Sequence, residues 1–189
     1  MLSRLVIATK NPDKAREMRE VLRRVLPEVA IVDDADWADI PETGETLEEN
    51  AVLKARAVAA ATGLPALADD TGLEVAALGG APGVRTARFA GPQASYAENR
   101  AALLAALQGV TDRRARFRTV VALVAEDEVI TATGAVEGSI ALAERGTGGF
   151  GYDPVFEVGG RTFAEIGMSG KNTLSHRARA LEDLATKLG

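Results

Sequence analysis

The sequence predicts an α/β fold in which a mixed central sheet is flanked by helices. Three patterns lead to this prediction. Short apolar runs alternate with helical patterns in the first part of the chain, two long strand-like runs follow one another in the middle, and the last segment has the period of an amphipathic helix. No linker, repeat or low-complexity tract divides the 189 residues. We therefore expect one domain over residues 1–189.

The first elements are marked by helix-start signals. An apolar run at Leu5–Ala8 predicts a buried strand. Asn11 is a typical helix cap, and Pro12 suits the first helical position. An apolar stripe continues this helix to about Pro27, and Val29–Val32 predict the second strand.

A second helix is predicted after an acidic segment. Residues 33–49 are rich in carboxylates and contain a proline and a glycine, which indicates a solvated loop. Thr46 and Glu49 have the spacing of a capping box. The helix that follows should end at about Thr62, because a glycine and a proline come next.

The rest of the chain continues the same alternation. Gly79–Gly83 predicts a tight turn, and Ser95 with Glu98 forms another capping box, whose helix should end near Gly109. The remaining predicted elements are strands at Arg116–Ala125, Val129–Val136 and Val155–Val158, a hairpin turn at Asp127 and Glu128, and a final helix at Ser175–Leu188.

Composition excludes several classes of function. The net charge of −5 argues against a broad basic surface for nucleic acids, although a few converging cations could still bind a small anion. The chain has no cysteine and one histidine, which excludes thiolate catalysis and leaves oxygen ligands for any metal, as Mg²⁺ prefers. No secretory signal or run of about 18 apolar residues is present, so we expect a soluble, cytoplasmic protein without a membrane partner.

Two adjacent carboxylates, Asp69 and Asp70, follow a short strand predicted at Ala66–Ala68. Neighbouring strand residues point to opposite faces, so one of the pair could reach a cleft. Buried carboxylates without partners are costly, and we therefore expect the pair to hold a cation or activate a water. The alternative is an Asx turn leading into Gly72. In either case the apolar run Leu73–Leu78 predicts a continuing strand.

The turn at Ala8–Lys14 is a candidate anion site. A strand there runs into a helix N-terminus, which offers free N–H groups and a partial positive charge. Thr9 and Asn11 can donate hydrogen bonds, and Lys14 adds a full charge one turn into the helix. The alternative is ordinary capping beside a surface lysine.

Glu42 and Lys54 are a second candidate pair. Glu42 lies in the acidic loop, and Lys54 lies in the helix that follows it. A solvated loop is the simpler explanation for most of these carboxylates. Lys54 could face either solvent or a cleft, and the sequence leaves this open.

The glycine-rich segment Gly146–Pro154 contains a G-x-G-x-x-G match. A dinucleotide fold needs a helix after this motif, and Asp153 with Pro154 prevents a long one. A loop that carries Phe150 and Tyr152 would suit the stacking of a planar base. The alternative is a compact turn whose aromatic rings pack into the core.

A cluster of cations is predicted around the start of the last helix, from Lys171, His176 and Arg177. The helix dipole repels cations at this end, and a bound anion or a polar base would relieve the conflict. The alternative is a surface cluster. Ser175 and His176 are consecutive, so they do not face each other as a nucleophile and its base.

Six segments together resemble the inosine triphosphate pyrophosphatase family. They are, in order along the chain, ATKNPDK, ETGETLEENAVLKA, LADDTGLEV, GGAPGVRTARFAG, GGFGYDPVF and SHRARAL. The resemblance covers nearly the whole chain. It implies a two-lobed α/β fold with the active cleft between the lobes, usually in a homodimer. It also implies Mg²⁺-dependent hydrolysis of ITP, dITP and XTP to a nucleoside monophosphate and pyrophosphate, which cleanses the nucleotide pool.

The resemblance implies particular roles for the acidic residues. Glu42 and Asp70 would bind Mg²⁺, and Asp70 would be the general base for a water that attacks the α-phosphorus in line, with Asp69 in support. Substrate contacts are implied at Thr9, Lys10, Asn11, Lys14, Lys54, Thr71, Phe150, Gly151, Tyr152, Asp153, Lys171, His176 and Arg177.

The resemblance divides these contacts between the phosphates and the base. Thr9, Asn11 and Lys14 would hold the phosphates, and Lys54 with Lys171 would add positive charge around them. Phe150 would stack on the base, and His176 with Arg177 would bind its 6-oxo edge. The pocket of the base would be shaped by Gly151, Tyr152 and Asp153. Two other functions remain open: a related pyrophosphatase for pyrimidine or modified nucleotides, and a nucleotide sensor without catalysis. The two aspartates argue against a sensor, because a binder of a polyanion gains little from carboxylates unless a metal lies between them.

Overall fold

The computed structural model describes residues 2–126 and 128–189. Within them the chain forms strands and helices that alternate as the sequence predicts. In chain order the elements are β1 (Arg4–Ile7), α1 (Pro12–Val25), β2 (Ala30–Val32), α2 (Leu47–Thr62), β3 (Ala66–Val75), β4 (Pro82–Gly83), α3 (Tyr96–Ala106), β5 (Arg114–Ala125), β6 (Glu128–Ile140), β7 (Phe156–Val158), β8 (Arg161–Thr162), α4 (Phe163–Leu174) and α5 (His176–Leu188).

The strands form a mixed sheet, which confirms the predicted fold class. The order among the described strands is β2-β1-β3-β5-β6-β7-β8, with β4 paired to β3. The pairs β1–β2 and β1–β3 are parallel, with Val6 opposite Val32 and Ala66 respectively. The pairs β3–β4, β6–β7 and β7–β8 are antiparallel.

The chain divides into two compact units. The first comprises the chain up to Asp70, Thr119–Gly134 and His176–Gly189. Its core is built from aliphatic side chains of α1, α5 and the strands of this unit, including Leu5, Met18, Leu67, Val121 and Leu181. Burial of such side chains stabilises a fold by about 1.5–3 kcal/mol each.

The second unit comprises Thr71–Arg118 and Ala135–Ser175. Its core is more aromatic. The rings of Phe117 and Phe156 are 4.6 Å apart in an edge-to-face arrangement, and the ring of Phe163 lies 5.0 Å from that of Phe156. Tyr152 is also buried in this core.

The helix starts agree with the sequence signals. The side chain of Asn11 accepts hydrogen bonds from the N–H groups of Asp13 and Lys14. The capping boxes at Thr46 and Ser95 are both formed, with the third helical residue returning a hydrogen bond in each case. These caps satisfy N–H groups that the first helical turn leaves without a partner.

The structure adds one helix that the sequence patterns did not predict. α4 begins with a capping box between Thr162 and Glu165, and Gly167 interrupts it with φ 77°. This interruption breaks the apolar period, which hides the helix from a search for periodicity. The capping box is the signal that could have found it.

Two strand predictions need correction. β3 runs without a break from Ala66 to Val75, and Ala76–Leu78 is a turn of 3₁₀ helix rather than strand. The predicted hairpin turn at Asp127 and Glu128 lies in part outside the described residues, because Asp127 is not among them and Glu128 begins β6.

No helix in the described part of the chain is long and apolar enough to span a membrane.

Gly134 of β6 contacts the backbone of α5 closely. A Cβ atom at this position would lie 2.1 Å from the carbonyl oxygen of His176 and 2.4 Å from the nitrogen of Ala180. Backbone atoms cannot move aside as a side chain can. We expect Gly134→Ala to lower the free energy of unfolding by about 1–3 kcal/mol, the usual cost of overpacking. Urea denaturation would measure it, with Thr131→Ala on the same strand as the control. Equal midpoints for the two variants would contradict the argument.

Candidate active site

Asp69 and Asp70 lie side by side in β3, and both side chains are buried. The Asx-turn interpretation is therefore wrong, because neither residue belongs to a turn. As expected for neighbours in a strand, the two carboxylates contact different elements. Asp69 forms ion pairs with residues of α1 and α5, whereas Asp70 contacts residues of α2.

A buried ion-pair network surrounds Asp69. Its Oδ2 accepts hydrogen bonds from Nε and Nη2 of Arg177 at 3.1 and 3.0 Å, and Nζ of Lys14 lies 3.2 Å away. Nη1 of Arg177 donates to Oε2 of Glu17 at 2.6 Å. The side chains of Glu17, Asp69 and Arg177 are at most 1% exposed.

This network keeps Asp69 ionised. Burial by itself would raise the pKa of the Asp69 carboxyl, but Lys14, Arg177 and Lys54 outweigh burial and hold the pKa well below its usual range. Asp69 is thus a fixed negative charge. It holds Lys14 and Arg177 in place.

Asp70 has a different environment. Its Oδ2 accepts a hydrogen bond from Nδ2 of Asn50 at 3.1 Å, and its Oδ1 lies 3.5 Å from Nζ of Lys54. Burial raises the pKa of the Asp70 carboxyl, Lys54 and Lys14 offset part of this increase, and Glu42 and Asp69 add to it. A raised pKa makes Asp70 a stronger base than an exposed aspartate. The adjacent carboxylates therefore have pKa values displaced in opposite directions, a pattern typical of acid–base sites.

Glu42 and Asp70 share one cation in this structure. Oε1 of Glu42 is 2.7 Å from Nζ of Lys54, the same ammonium that Asp70 approaches. Burial alone would lower the pKa of Lys54, but Asp70, Asp69 and Glu42 together raise it, so the ammonium stays charged.

The same two carboxylates fit a magnesium ion. Mg²⁺ is usually bound through one or two carboxylates, with phosphate oxygens and waters completing its shell. In the described residues no group of three or more acidic or histidine side chains could hold a metal by itself. Glu42 and Asp70 could therefore hold Mg²⁺ only together with such further oxygen ligands. The ammonium group of Lys54 contacts both carboxylates, which shows that a positive charge can lie between Glu42 and Asp70.

The structure corrects one reason for an anion site at the start of α1. The N–H groups of Asp13 and Lys14 bond to the side chain of Asn11, and that of Ala15 bonds to its carbonyl. Pro12 has no N–H, so the first turn does not offer free donors. An anion would be bound here by side chains and the helix dipole. Lys10 forms an exposed ion pair with Asp39.

His176 and Arg177 begin α5, and the structure shows what compensates their position. The conflict between Arg177 and the helix dipole is relieved by Glu17 and Asp69 rather than by a bound anion. Nδ1 of the buried His176 lies 2.6 Å from the hydroxyl oxygen of Thr119. The predicted contacts of both residues with a base stay predictions.

The hydrogen bond between Thr119 and His176 can be tested by NMR. His176 is the only histidine, so its ring nitrogens give the only imidazole signals. We expect Thr119→Val to shift the Nδ1 resonance, because the ring loses its partner, and Thr119→Ser to keep it. A long-range ¹H–¹⁵N spectrum measures both. Identical spectra for the wild type and Thr119→Val would show that the Thr119 hydroxyl does not determine which ring nitrogen of His176 carries the proton.

In the second unit, Lys171 joins Asp153 and Phe150 in one cluster. Nζ of Lys171 is 2.7 Å from Oδ2 of Asp153 and 4.2 Å from the centre of the Phe150 ring. Oδ2 of Asp153 also accepts the N–H of Phe150 at 2.8 Å. At Gly149 a Cβ would lie 2.1 Å from this oxygen, so the glycine allows the loop to close on Asp153. The cluster fixes the backbone beside Phe150.

The sequence pattern predicts Lys171 near the start of the last helix. The structure instead places it in the last turn of α4. A cation is favourable at a helix C-terminus, so its position creates no conflict with a dipole.

The aromatic residues of the glycine-rich loop behave differently from each other. Tyr152 is buried and donates to the carbonyl of Thr86, whereas Phe150 is only partly buried. The core-packing alternative therefore holds for Tyr152.

The structure brings one group of predicted residues together within the first unit: Lys14, Glu42, Lys54, Asp69, Asp70 and Arg177. A second group, Phe150, Asp153 and Lys171, is brought together within the second unit. Gly151 accepts a hydrogen bond there from Arg100. Thr71 follows Asp70 in β3. Contacts of all these residues with a substrate stay predictions.

Three buried residues of the first unit were missed: Glu17, Asn50 and Thr119. Two had a signal. Glu17 lies three residues after Lys14, and Asn50 four residues before Lys54, so each shares a helix face with a predicted site residue. Thr119 had none, because a threonine is ordinary in a strand.

The fold and the site define a class: an α/β protein with a buried carboxylate pair among lysines and an arginine, suited to a phosphorylated small molecule. The chain belongs to the Ham1 family, which it matches over residues 5–187.

Similar proteins agree with this assignment. The chain is 52% identical to a dITP/XTP pyrophosphatase of Syntrophobacter fumaroxidans, over 95% of this chain and 79% of that protein. It is 50% identical to a dITP/XTP pyrophosphatase of Aromatoleum aromaticum, over 100% and 98% of the two chains. Among solved structures, a HAM1 protein from Coxiella burnetii matches with a TM-score of 0.88 and 45% identity, over 100% and 98% of the chains. The resemblance predicted from the six segments is confirmed.

Proposed function

We propose that this protein hydrolyses non-canonical purine nucleoside triphosphates, namely ITP, dITP and XTP, to the monophosphate and pyrophosphate. The observation that carries the proposal is the pair of adjacent buried aspartates in β3: Asp69 is paired with Lys14 and Arg177, and Asp70 lies beside Lys54. Relatives that are about half identical over nearly the whole chain are dITP/XTP pyrophosphatases. The cellular role is removal of damaged purines from the nucleotide pool.

The residues of the first unit have complementary tasks in this reaction. Lys14 and Lys54 neutralise charge on the phosphates, which is most of what phosphoryl chemistry requires. Asp70 accepts the proton of the attacking water through Oδ1, the oxygen on the side of Lys54. Asp69 keeps Lys14 and Arg177 in position. Thr9 and Asn11 add hydrogen-bond donors to the phosphates.

Magnesium is part of this proposal. Glu42 and Asp70 would hold Mg²⁺, which when bound lowers the pKa of a coordinated water and shields phosphate charge. Lys54 would then contact the phosphates instead of bridging the two carboxylates. The cytoplasmic location and the homodimer that the resemblance implies are also proposals.

Selection of the base follows from hydrogen bonding. The guanidinium of Arg177 is held by Asp69 and Glu17, and it is a pure donor. If the base contact that the resemblance implies is made, a 6-oxo group is the acceptor that would suit it, as in inosine and xanthine. Adenine presents an amine at this position, and two facing donors would leave polar groups unsatisfied. Guanine carries the same 6-oxo group, so this argument does not separate GTP from ITP. The partly buried ring of Phe150 in the second unit would stack on the base, held by Asp153 and Lys171.

A panel of nucleotides tests the proposal. With Mg²⁺ we expect pyrophosphate release from ITP, dITP and XTP, and a kcat/KM for ATP at least about 100-fold lower, because ATP lacks the acceptor. Removal of Mg²⁺ with EDTA should abolish the activity. Pyrophosphate detection with each nucleotide is the measurement. A preference for pyrimidine nucleotides would support the related pyrophosphatase, and tight ITP binding without pyrophosphate release would support the sensor.

A further inference from the structure

Asn50 is a buried polar residue near the start of a helix. It lies in α2 with no exposed surface, next to buried Ala51 and one turn before Lys54. Asparagine is a weak helix former, and an amide is costly to bury unless both of its ends are bonded. A residue of this kind therefore calls for a specific explanation.

Both ends of the Asn50 amide are used. Its Oδ1 accepts the backbone N–H of Gly44 at 2.8 Å, and its Nδ2 donates to Oδ2 of Asp70 at 3.1 Å. The two partners also determine the orientation of the amide. Gly44 offers a donor and therefore faces the oxygen, and the carboxylate of Asp70 is an acceptor and therefore faces the nitrogen.

The contact with Asp70 makes its two oxygens different. Oδ2 is held by Asn50, so Oδ1 is the oxygen directed to Lys54, whose ammonium also contacts Glu42. A rotation of the carboxylate away from this arrangement would break the hydrogen bond to Asn50.

The contact with Gly44 acts on Glu42. Residues 33–46 form neither helix nor strand, so other bonds must fix the backbone around Glu42. Gly44 is two residues from Glu42, and its N–H is held by Asn50. A Cβ at Gly44 would lie 2.7 Å from Oδ1 of Asn50 and 2.7 Å from Cβ of Glu49. The glycine is thus required for the close approach of this loop to Asn50.

We propose that Asn50 is a positioning residue that sets both carboxylates of the reaction at once: it holds Oδ2 of Asp70 and ties the loop that carries Glu42. One side chain then keeps Oδ1 of Asp70 and the carboxylate of Glu42 directed to a common position. This inference rests on the proposed function for its catalytic meaning. The two contacts that carry it belong to the structure itself.

Two substitutions at position 50 separate the two contacts. Asn50→Asp keeps an acceptor for Gly44 but cannot donate to Asp70 when ionised. Asn50→Leu has a similar volume and makes neither contact. The matched control is Asn99→Asp in α3, because Asn99 is also buried and its amide also bonds the backbone of another segment, at Ala90 and Ala87.

The readouts are turnover of ITP as a function of Mg²⁺ concentration and hydrogen exchange at the Gly44 amide. We expect kcat/KM to fall 10–100-fold in Asn50→Asp and Asn50→Leu, the usual effect of losing a partner of a metal-binding side chain. The Mg²⁺ concentration for half-maximal rate should rise in both. The Gly44 amide should stay protected in Asn50→Asp and exchange faster in Asn50→Leu. Asn99→Asp should change neither readout beyond its effect on stability.

Three results would overturn the inference. The first is that Asn50→Asp keeps the kcat/KM and the Mg²⁺ dependence of the wild type. The second is that the Gly44 amide stays protected in Asn50→Leu. The third is that Asn99→Asp loses as much kcat/KM as the position 50 variants while its melting temperature equals theirs. Gly44→Ala is a second route if the position 50 variants do not fold: it should lower kcat/KM with Asn50 intact. Failure of the proposed function gives a distinguishable result, because the wild type itself would release no pyrophosphate from ITP. Hydrogen exchange at the Gly44 amide would still decide whether Asn50 ties the loop.

Discussion

Asp70→Asn is expected to lower kcat for ITP by about 10²–10⁴-fold, the range that general-base catalysis contributes. The amide of an asparagine cannot accept the proton of the attacking water and is a poor ligand for a cation. Its shape is nearly that of aspartate, so Asn50 can still donate to one oxygen. Pyrophosphate release under saturating ITP measures the effect. Turnover near that of the wild type would remove Asp70 from the mechanism.

The same variant should remain folded and lose no stability. Burial raises the pKa of Asp70, which means that the fold disfavours the ionised carboxylate at neutral pH. An uncharged side chain removes this penalty, and Lys54 keeps Glu42 as its partner. We expect a melting temperature equal to or above that of the wild type. Loss of activity together with a large fall in melting temperature would mean that unfolding, and not chemistry, explains the defect.

Arg177→Leu is expected to lower the free energy of unfolding by about 3–5 kcal/mol, since it leaves two buried carboxylates without their shared partner. Arg177 donates to Glu17 and to Asp69, and all three side chains are buried. The loss is a large fraction of the roughly 5–15 kcal/mol that stabilise a typical domain. Denaturant unfolding at neutral pH measures it. The control is Lys187→Ala, which breaks an exposed pair with Asp183 and should have little effect.

The pH dependence of stability gives a second test of this network. The folded pKa of Asp69 lies below its ordinary value of 3.8. Its ionisation therefore stabilises the fold fully above about pH 4, and this contribution is lost as the pH falls further. Without Arg177 the folded pKa of Asp69 should rise, so part of the contribution disappears. Stability curves of equal shape for the wild type and Arg177→Leu would contradict a role of Arg177 in keeping Asp69 ionised.

The elements that depend on local chemistry could be predicted from the sequence. Asn11 with Pro12 and the two capping boxes at Thr46 and Ser95 place helix starts correctly, because the bonds they form lie within three residues. α4 was not predicted, since Gly167 interrupts its period.

The site was predictable as a set of residues but not as a set of contacts. Residue patterns alone left Glu42 and Lys54 open, and the family resemblance implied that Glu42 and Asp70 share a metal ion. The structure joins both carboxylates to the ammonium group of Lys54. The bond from Arg177 to Glu17 spans 160 residues of sequence, so no local pattern indicates it. The helix dipole suggested a bound anion near Arg177. It gave no sign that the chain supplies its own carboxylates.

The four side chains of the network, Lys14, Glu17, Asp69 and Arg177, carry two positive and two negative formal charges. Any single neutral replacement leaves the interior with an excess of one sign. During divergence these positions are therefore expected to covary, with loss of a cation at one accompanied by loss of an anion at another. Libraries that randomise them one by one would recover few folded variants, whereas libraries that exchange an acid and a base in the same clone would recover more.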